Sequence, residues 1–428
     1  NNFRTERIVS PVFSGKNERK YFIMATFFLI LIYASFISLG LPDSVLGSAW
    51  PMMKIELHAP DDFAGYIFMV VAGGTIISSL FSSRFIKRFG TGVVTFVSVL
   101  MTATALFLFH FAPSYYWFLI FAIPLGLGAG AVDSGLNEFV AEHYESRHMS
   151  WLHSFWGLGA MTGPIIISKL FASGQTWRNG YLIISIIQFG LAAILFLSLP
   201  LWKKVKEREK IQQELNPPIE SDLSQTKKSS GVSVLLKHPG VFPVLISIFL
   251  YCGVEQTMML WGATYLIASR NVTPATAAAW ISLFLAGITI GRFLSGFATF
   301  KLSNKMMIRL GELIILIGLT LLIFPLPSPF VQAGIFIAGL GCAPIYPCML
   351  HETPVRFGKE HAQEIMGIQM AVAYLGSTLV PPALGAIGTR TTMIMIPFVL
   401  FAFTGIMLFS CEEFNRIQVK IDSVMKSS

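Results

Sequence analysis

Residues 126–164 read GLGAGAVDSGLNEFVAEHYESRHMSWLHSFWGLGAMTGP, two apolar runs joined by a short polar segment. Asp133 and Asn137 are four residues apart, so on a helix they share a face, and Gly126 and Gly130 continue that face. Small residues there let another helix come close. An ionisable side chain inside a lipid-embedded helix costs about 2.5 to 3.5 kcal/mol and rarely faces lipid. The stretch therefore predicts a membrane helix on which Asp133 lines an interior cavity.

The composition predicts an all-α protein that crosses a lipid bilayer several times. The chain has 428 residues, of which 54% are hydrophobic and 13% charged, and its mean hydropathy is +0.65. The apolar runs are long and continuous, which is typical of helices and not of the short alternating strands of a barrel. The net charge of +8 comes from basic residues that lie between the apolar runs, which indicates membrane topology and argues against a nucleic-acid partner.

The motifs argue against most other classes of chemistry. Four cysteines lie inside apolar runs without paired spacing, so neither a disulfide framework nor a zinc site is expected. His351 and Glu352 lack the second histidine of an H-E-x-x-H motif, and the chain has no phosphate-binding Walker loop. We therefore expect no metal, no cofactor and no enzymatic activity.

Twelve apolar runs are long enough to span a bilayer, which predicts twelve transmembrane helices in two pseudo-symmetric six-helix halves. The first run covers about residues 21–48, and the others are centred near residues 72, 101, 127, 161, 189, 254, 288, 316, 340, 375 and 401. Near the end of the first run, Pro42 follows Gly40 by two residues. This proline is expected either to break the helix and free backbone groups for a ligand, or simply to kink it.

The two halves are predicted to cover residues 1–202 and 239–412, with a cytoplasmic central loop at 203–238 and a cytoplasmic tail at 413–428. The loop is charged and polar, and its start is compatible with a short surface helix. Short matches recur in the same order in both halves, which indicates a parallel internal repeat. They are AGGTI at 72–76 with AGITI at 286–290, GLG at 126–128 with GLG at 339–341, Gly159 with Gly376, and Pro164 with Pro381.

The distribution of basic residues predicts the orientation in the membrane. The segments between spans alternate between the two sides of the membrane. Of the 31 Lys and Arg residues, 25 lie on the side that holds both termini and the central loop, and 4 lie on the opposite side. Basic residues accumulate on the cytoplasmic side of membrane proteins. Both termini are therefore expected in the cytoplasm, in a multi-pass protein of the cell membrane.

Three carboxylates lie inside the predicted spans: Asp43 in the first, Asp133 in the fourth and Glu255 in the seventh. Burial in a medium of low dielectric disfavours the charged form, so such side chains can take up a proton and couple a carrier to an ion gradient. The alternative is a carboxylate that hydrogen bonds hold in its ionised form as part of the packing.

Other charged residues near the spans receive different interpretations. Arg292, in the eighth span, needs a carboxylate or carbonyl partner and is predicted to be a structural or gating residue. Glu138 and Glu312 lie close to the predicted cytoplasmic boundary, where water can reach them, and neither is predicted to be a site.

Aromatic and polar side chains in the spans suit a ligand with apolar faces and hydroxyl edges, such as a sugar. Each aromatic residue can instead serve packing or anchor the chain at the membrane interface. The candidate substrate-binding residues are Asn137, His153, Trp156, Glu255, Gln256, Trp261, Tyr346, Gln369 and Tyr374.

Over essentially its whole length the chain resembles the major facilitator superfamily, and within it the fucose, galactose and glucose proton-symporter branch. The segments that carry the resemblance are GLGAGAVDSGLN at 126–137, LHSFWGLGA at 152–160 and YCGVEQT at 251–257. The first is similar to that branch's G-L-G-x-x-E-x-x-x-N signature. This likeness implies that Asp133 stands at the coupling acid and Asn137 at the asparagine, while Asp43 resembles the acid of the first span.

The chain departs from that branch at several positions. Asp133 is shorter than the glutamate it replaces, Glu255 replaces a glutamine, and Glu138 replaces a proline. His153 and Trp156 stand where smaller amides are expected, so the substrate can differ from fucose.

The loop between the second and third spans departs as well. It reads Lys87-Arg88-Phe89-Gly90 where the superfamily usually has D-R-x-G, so the acid of the conformational lock is missing. Arg88 and Arg292 remain the candidate gating residues.

The resemblance implies alternating access, in which two halves rock around a central cavity and ion binding at Asp43 or Asp133 biases the exchange. We interpret the chain as a monomeric proton-coupled symporter of a sugar or similar small polar solute, with sodium left open as the coupling ion. The alternatives are an exporter of amphipathic compounds, a sensor that binds a ligand without moving it, and a membrane enzyme that uses His153 with Asp133. Trp156 is expected to form a wall for the substrate, so that Trp156→Ala weakens binding and leaves coupling intact.

Overall fold

The computed structural model describes residues 18–144, 146–215, 240–298 and 301–427, and these are helical almost throughout. The helices are α1 (Glu18–Asp43), α2 (Val45–Glu56), α3 (Phe63–Phe89), α4 (Thr91–Phe111), α5 (Tyr115–His143), α6 (Ser146–Ala172), α7 (Trp177–Leu215), α8 (Val241–Arg270), α9 (Pro274–Ala298), α10 (Asn304–Ile323), α11 (Ser328–Cys342), α12 (Ile345–Arg390) and α13 (Ile396–Ser427), with a 3₁₀ turn at Met393–Met395. No strand occurs within these ranges, which confirms the all-α prediction.

Twelve helical segments of the described chain are long and apolar enough to cross a membrane, which confirms the predicted number of spans. Many of their large apolar side chains are exposed, for example Leu80 at 73% and Leu197 at 76%. In water such a surface would be unfavourable, whereas in a bilayer these side chains can contact lipid tails.

The first span is interrupted where the sequence predicted a break. Helix α1 ends at Asp43, one residue after Pro42, and α2 begins at Val45. Ser44 alone lies between the two helices. The proline removes one backbone donor from the helix, which accounts for an interruption at this point. The break leaves Asp43 at the very end of α1.

Helix α12 contains parts of two predicted spans and turns back on itself. Thr353 Oγ1 donates a hydrogen bond of 2.7 Å to Gln369 Oε1. Sixteen residues of straight helix would separate these side chains by about 24 Å. The helical backbone must therefore reverse its direction between them, which agrees with two separate spans at Ser328–Phe357 and Ile365–Arg390.

The predicted polar segments are partly helical. The start of the central loop, 203–215, continues α7, and most of the tail, 413–427, continues α13. Phe414 stacks on Phe357 with ring centroids 5.4 Å apart, and the Asn415 side chain accepts a hydrogen bond from Arg356. These contacts hold the start of the tail against α12. The remainder of the loop, 216–238, lies outside the described residues.

The chain divides into two compact units. In the described residues the first unit contains 18–43, 70–144, 146–163 and 176–215, and the second contains the rest. This division differs from the sequence halves, because residues 44–69 and 164–175 group with the second unit. Close packing explains the assignment of α2: a Cβ on its Gly47 would meet backbone atoms of Met259 and Leu260 in α8.

In the first unit, glycines bring two pairs of helices into backbone contact. A Cβ on Gly126 of α5 would meet the backbone of Val71 in α3, as the sequence predicted for this glycine face. A Cβ on Gly159 of α6 would likewise meet the backbone of Ile37 in α1. Larger side chains at these crossings would push the helices apart.

The second unit repeats both crossings. A Cβ on Gly339 of α11 would meet the backbone of Phe284 in α9, and one on Gly376 of α12 would meet that of Phe249 in α8. These are the glycines that the sequence matched to Gly126 and Gly159. The internal repeat is therefore confirmed at the level of helix contacts.

Candidate functional site

The predicted site residues fall into two sets, one in each unit. In the first unit, Trp156 Nε1 donates a hydrogen bond of 2.8 Å to Asp43 Oδ2. The crossing of α1 and α6 explains this contact, since a Cβ on Gly40 would meet the backbone of Trp156 and Ala160. Two residues 113 positions apart in the chain thus form one pair, in which Asp43 is exposed and Trp156 half-buried.

The second acid of this unit lies on α5. Asn137 Nδ2 donates a hydrogen bond of 3.0 Å to Asp133 Oδ1, as expected for residues one helical turn apart. The Asn137 Oδ1 atom is buried and has no hydrogen-bond partner in the described chain. Asp43 and Asp133 lie close enough to interact electrostatically. The set therefore offers two carboxylates, one indole face and one unused amide oxygen.

Hydroxyl side chains of α3 fix the position of α5 beside this set. They donate to main-chain carbonyl oxygens of α5 where the helices cross, so the contact is polar as well as close. The bonds are Thr75 to Gly126 at 3.2 Å, Ser78 to Leu127 at 2.5 Å and Ser79 to Gly130 at 3.2 Å.

His153 lies on α6, three residues before Trp156. Its side chain is exposed on α6, and its ring packs edge-on against Phe36 with centroids 6.0 Å apart. His148, on the same helix, is buried and accepts or donates a hydrogen bond of 2.8 Å with the Tyr33 hydroxyl. These contacts tie α6 to α1 and support the neighbouring Asp43–Trp156 pair.

In the second unit, Arg292 has the carboxylate partner that its position demanded. Its Nη2 atom lies 3.5 Å from Glu255 Oε1, and both side chains are largely buried, at 20% and 8% exposed. Tyr251, one helical turn before Glu255, is also buried, and its hydroxyl has no hydrogen-bond partner among the described residues. The Tyr346 ring lies 6.3 Å from that of Tyr251.

Two other predicted ligands of this unit are fully buried and hydrogen-bonded, although Gln369 Nε2 has no partner among the described residues. Trp261 is fully buried, and its Nε1 donates a hydrogen bond of 2.7 Å to the Pro381 carbonyl oxygen. Gln369 is fully buried as well, and its Oε1 accepts the bond from Thr353 described above. Gln256 and Tyr374 are half-buried and remain accessible.

Four residues complete the comparison with the sequence. Arg88 is exposed, and its guanidinium lies 5.3 Å from the centre of the Phe89 ring. Gln188 was not predicted: it is buried on α7 and donates a hydrogen bond of 2.8 Å to the Ser38 carbonyl oxygen of α1. The sequence placed Glu312 at an accessible boundary, but its side chain is fully buried. Tyr251, also missed, stands four residues before Glu255 and could have been found from that spacing.

Comparison with known proteins gives consistent results. The family profile described as Major Facilitator Superfamily matches residues 26–381 and 244–418. Bypass of stop codon protein 6 of Saccharomyces cerevisiae is 24% identical over 405 residues, which cover 88% of this chain and 80% of that protein. The glucose/mannose transporter GlcP of Bacillus subtilis is 26% identical over 365 residues, which cover 82% of this chain and 86% of that protein.

Solved structures share the fold. The crystal structure of a D-xylose-proton symporter aligns with a TM-score of 0.66 and 12% sequence identity, over 90% of this chain and 96% of that chain. At this identity the likeness concerns the arrangement of helices and not the cargo.

Proposed function

Because the chain belongs to the Major Facilitator Superfamily and is a multi-pass membrane transporter, we propose that it takes up a sugar by proton-coupled symport through alternating access. Similarity to a glucose/mannose transporter over 82% of the chain supports a sugar as the cargo. The observation that carries the proposal is the 2.8 Å hydrogen bond between Trp156 and Asp43, beside the Asp133–Asn137 pair.

The chemistry of this set suits a sugar. An indole ring packs against the apolar face of a pyranose, and carboxylate and amide oxygens accept hydrogen bonds from its hydroxyls. Asn137 Oδ1 has no other partner in the described chain, so it is available to such a donor. The exposed Asp43 carboxylate can accept from a second hydroxyl.

Proton binding acts on the same atoms in this proposal. A hydrogen bond to a charged carboxylate is roughly twice as strong as one between neutral groups. Protonation of Asp43 therefore weakens its hold on the Trp156 indole, which is then free to turn toward a ligand. Release of the proton restores the bond and withdraws the ring. This exchange couples the charge of one residue to the shape of the binding surface.

The electrical gradient can drive the process. Moving one elementary charge through 100 mV releases about 2.3 kcal/mol, which corresponds to roughly 50-fold accumulation of a neutral solute. Symport of one proton per sugar is thus sufficient for uptake against a concentration gradient.

Counterflow in proteoliposomes tests the proposal. The purified full chain is reconstituted with unlabelled glucose, mannose, galactose or fucose inside, and entry of the same radiolabelled sugar is followed. We expect counterflow for at least one hexose, and uphill uptake of that hexose when a pH gradient, acidic outside, is imposed. Counterflow of an amphipathic dye in place of every sugar would support an exporter, and binding without counterflow would support a sensor. Either outcome would overturn the proposal.

A further inference from the structure

The second unit contains a pocket that the proposed function does not use. Helices α8, α10, α12 and α13 line it, and its empty space is about 420 Å³, including the open mouth. The enclosed part is small, with room for about two water molecules. The pocket therefore admits water-sized species and excludes a sugar.

Four charged side chains at this pocket are already paired. Arg309 of α10 donates two hydrogen bonds of 2.7 Å to the two carboxylate oxygens of Glu412 in α13. Arg356 of α12 donates to Glu352 on the same helix and, at 3.0 Å, to Asn415 Oδ1. Bidentate pairs of this kind are geometrically specific and strong. Neither guanidinium group forms an ion pair with the remaining carboxylate of the pocket among the described residues.

One carboxylate of the pocket has no such partner. Glu312 is fully buried, and neither of its oxygens has a hydrogen-bond donor in the described chain. It lies eight residues after the start of α10, about 12 Å along the helix. Lys305, also in the pocket lining, stands two helical turns before Glu312, and no ion pair joins the two in the described part of the chain. The nearby Arg309 acts on this carboxylate only through its charge and is paired with Glu412, so an ionised Glu312 would be poorly compensated, at a cost of several kcal/mol.

The nearest candidate donor is a weak one. The Cys411 thiol lies beside both Glu312 and Ser247, whose Oγ is 3.4 Å away, and its single hydrogen can be donated to only one of them. Ser247 in turn donates to the Pro243 carbonyl oxygen at 2.8 Å. Helix α8 contributes no charged side chain to the pocket lining. The carboxylate therefore needs a species from outside the chain that brings positive charge or a hydrogen.

We propose that Glu312 is a binding site for a small monovalent cation, a proton or Na⁺, which enters from the end of the second unit at which α10 begins. A proton converts the carboxylate to a neutral acid that can donate one hydrogen bond, and Na⁺ accepts oxygen ligands from the carboxylate and from water. Either species removes the poorly compensated negative charge of the carboxylate. The site is separate from the Asp43 and Asp133 set, which belongs to the first unit, and it does not depend on which solute is carried.

Infrared difference spectroscopy of the purified full chain in lipid nanodiscs tests whether Glu312 binds a proton. The carbonyl stretching band of a protonated carboxylic acid is recorded as the pH is varied, in the wild type and in Glu312→Gln. We expect a component that appears on acidification in the wild type and is missing in the variant. Glu138→Gln, which removes an exposed carboxyl group of α5, serves as the control and should retain that component.

Thermal unfolding tests whether Glu312 binds Na⁺. The melting temperature is measured at constant ionic strength while choline is replaced by Na⁺. If Na⁺ is the ligand, the melting temperature of the wild type rises with Na⁺ and that of Glu312→Gln does not. If the proton is the ligand, Na⁺ has no effect and only the pH-dependent band is seen.

The proposal is overturned if the Glu312 band is present at every pH and Na⁺ has no effect, since the residue is then a permanently neutral acid. It is also overturned if neither measurement distinguishes the variant from the wild type. Should Glu312→Gln fail to fold, Glu312→Asp keeps the carboxyl group one methylene shorter, and the band should then persist with an altered pH dependence. Neither readout involves transport, so a negative result leaves the symport proposal standing.

Discussion

At the scale of single residues, the hydrogen bond from Trp156 to Asp43 changes what each residue is expected to do. Sequence reasoning treated the tryptophan as a wall for the substrate and the aspartate as an independent proton carrier. The 2.8 Å contact couples the two residues, because a change in the charge of Asp43 alters the strength of its hydrogen bond to the indole. The expectation that coupling survives the loss of Trp156 is therefore withdrawn.

Two substitutions of Trp156 separate its donor from its ring. Trp156→Phe keeps an aromatic face and removes the N–H, so we expect affinity for the transported sugar to stay within a few-fold while proton-driven accumulation falls. Trp156→Ala removes both, and affinity should fall by about ten-fold to a hundred-fold. Calorimetric binding and uphill uptake measure the two effects.

The control for these variants is Trp151→Phe. Trp151 is an exposed residue of the same helix, and its ring contacts His148 instead of Asp43. Its substitution should alter neither quantity. Equal losses in Trp151→Phe and Trp156→Phe would show that the indole N–H has no special role.

Neutralising the two acids should uncouple transport from the proton gradient. We expect Asp43→Asn and Asp133→Asn each to abolish uphill uptake while exchange of labelled for unlabelled sugar continues, because amides cannot release a proton. The loss at 100 mV would be about 50-fold in accumulation. Glu138→Gln, an exposed position of α5, should accumulate normally. Undiminished uphill uptake by both aspartate variants would contradict the coupling role.

Sequence spacing could anticipate only the local part of this set. Asp133 and Asn137 are one turn apart on one helix, so their contact follows from helical geometry. Asp43 and Trp156 are 113 residues apart, and their contact depends on the angle and depth at which α1 and α6 cross. Neither quantity can be read from residue types along one chain.

At the scale of elements, helix crossings without intervening side chains set the geometry of both units. The glycine-rich runs predicted close approach correctly, because glycine is the residue that allows two backbones to touch. What the runs could not show was which helix would approach. Gly126 meets α3, and Gly159 meets α1.

Enlarging one of these glycines should destabilise the first unit. In Gly159→Leu the side chain would meet the backbone of Ile37, which cannot move without displacing α1. We expect a loss of about 1 to 3 kcal/mol or more in stability, the range found for overpacked cores. Gly190→Leu is the matched control, since a Cβ added at this exposed position meets nothing within 4 Å. Thermal unfolding of the detergent-solubilised protein, followed by size-exclusion chromatography, measures both, and equal melting temperatures would show that the crossing tolerates a side chain.

The ion pair between α8 and α9 should behave as a coupled unit. Removing one partner leaves a largely buried charge without compensation, so Glu255→Gln and Arg292→Met should each cost about 3 kcal/mol. The double variant should recover most of that loss, because no charge then remains. A double-mutant cycle on melting temperatures gives the interaction energy. Simple additivity of the two losses would mean that the residues act separately.

Helix ends were the least predictable elements. Charged residues at 203–215 and 413–427 suggested a loop that could begin with a short helix, and a tail. The start of the loop is indeed helical, and the tail also continues the preceding helix. Polar residues are compatible with helix and with loop alike, and contacts such as the stacking of Phe414 on Phe357 decide between them. The same limit concealed Glu312, whose burial depends on three other helices.

At the scale of the whole molecule, the twelve spans follow directly from hydropathy, since each needs about 20 apolar residues in a row. The assignment of segments to the two units does not follow from it. Residues 44–69 belong to the second unit because α2 packs against α8, a contact between positions some two hundred residues apart. Pattern along the chain determines how many helices form, and packing determines their neighbours.

The orientation of the molecule is a prediction of the charge distribution. Single cysteines in place of Ser229 and Thr273 should be labelled by an impermeant thiol reagent from opposite sides, Thr273→Cys in intact cells and Ser229→Cys only after the membrane is opened. The native chain serves as the control, since three of its four cysteines are buried. If only Ser229→Cys were labelled in intact cells, the orientation would be opposite to the predicted one.

The repeated glycine crossings also set a common register for the two units. Asp43 lies six residues after Ile37, and Glu255 lies six residues after Phe249, so the two acids occupy matching places in the two copies. One copy holds its acid with a neutral indole, and the other holds it with a permanently charged guanidinium. Protonation of Asp43 leaves no charged partner behind, whereas protonation of Glu255 would leave the Arg292 guanidinium buried without a counter-charge. The two units therefore share a helix arrangement but differ in the charge of the partner of the matching acid. Of these two positions, only Asp43 can change its protonation state during a transport cycle without leaving a buried charge unpaired.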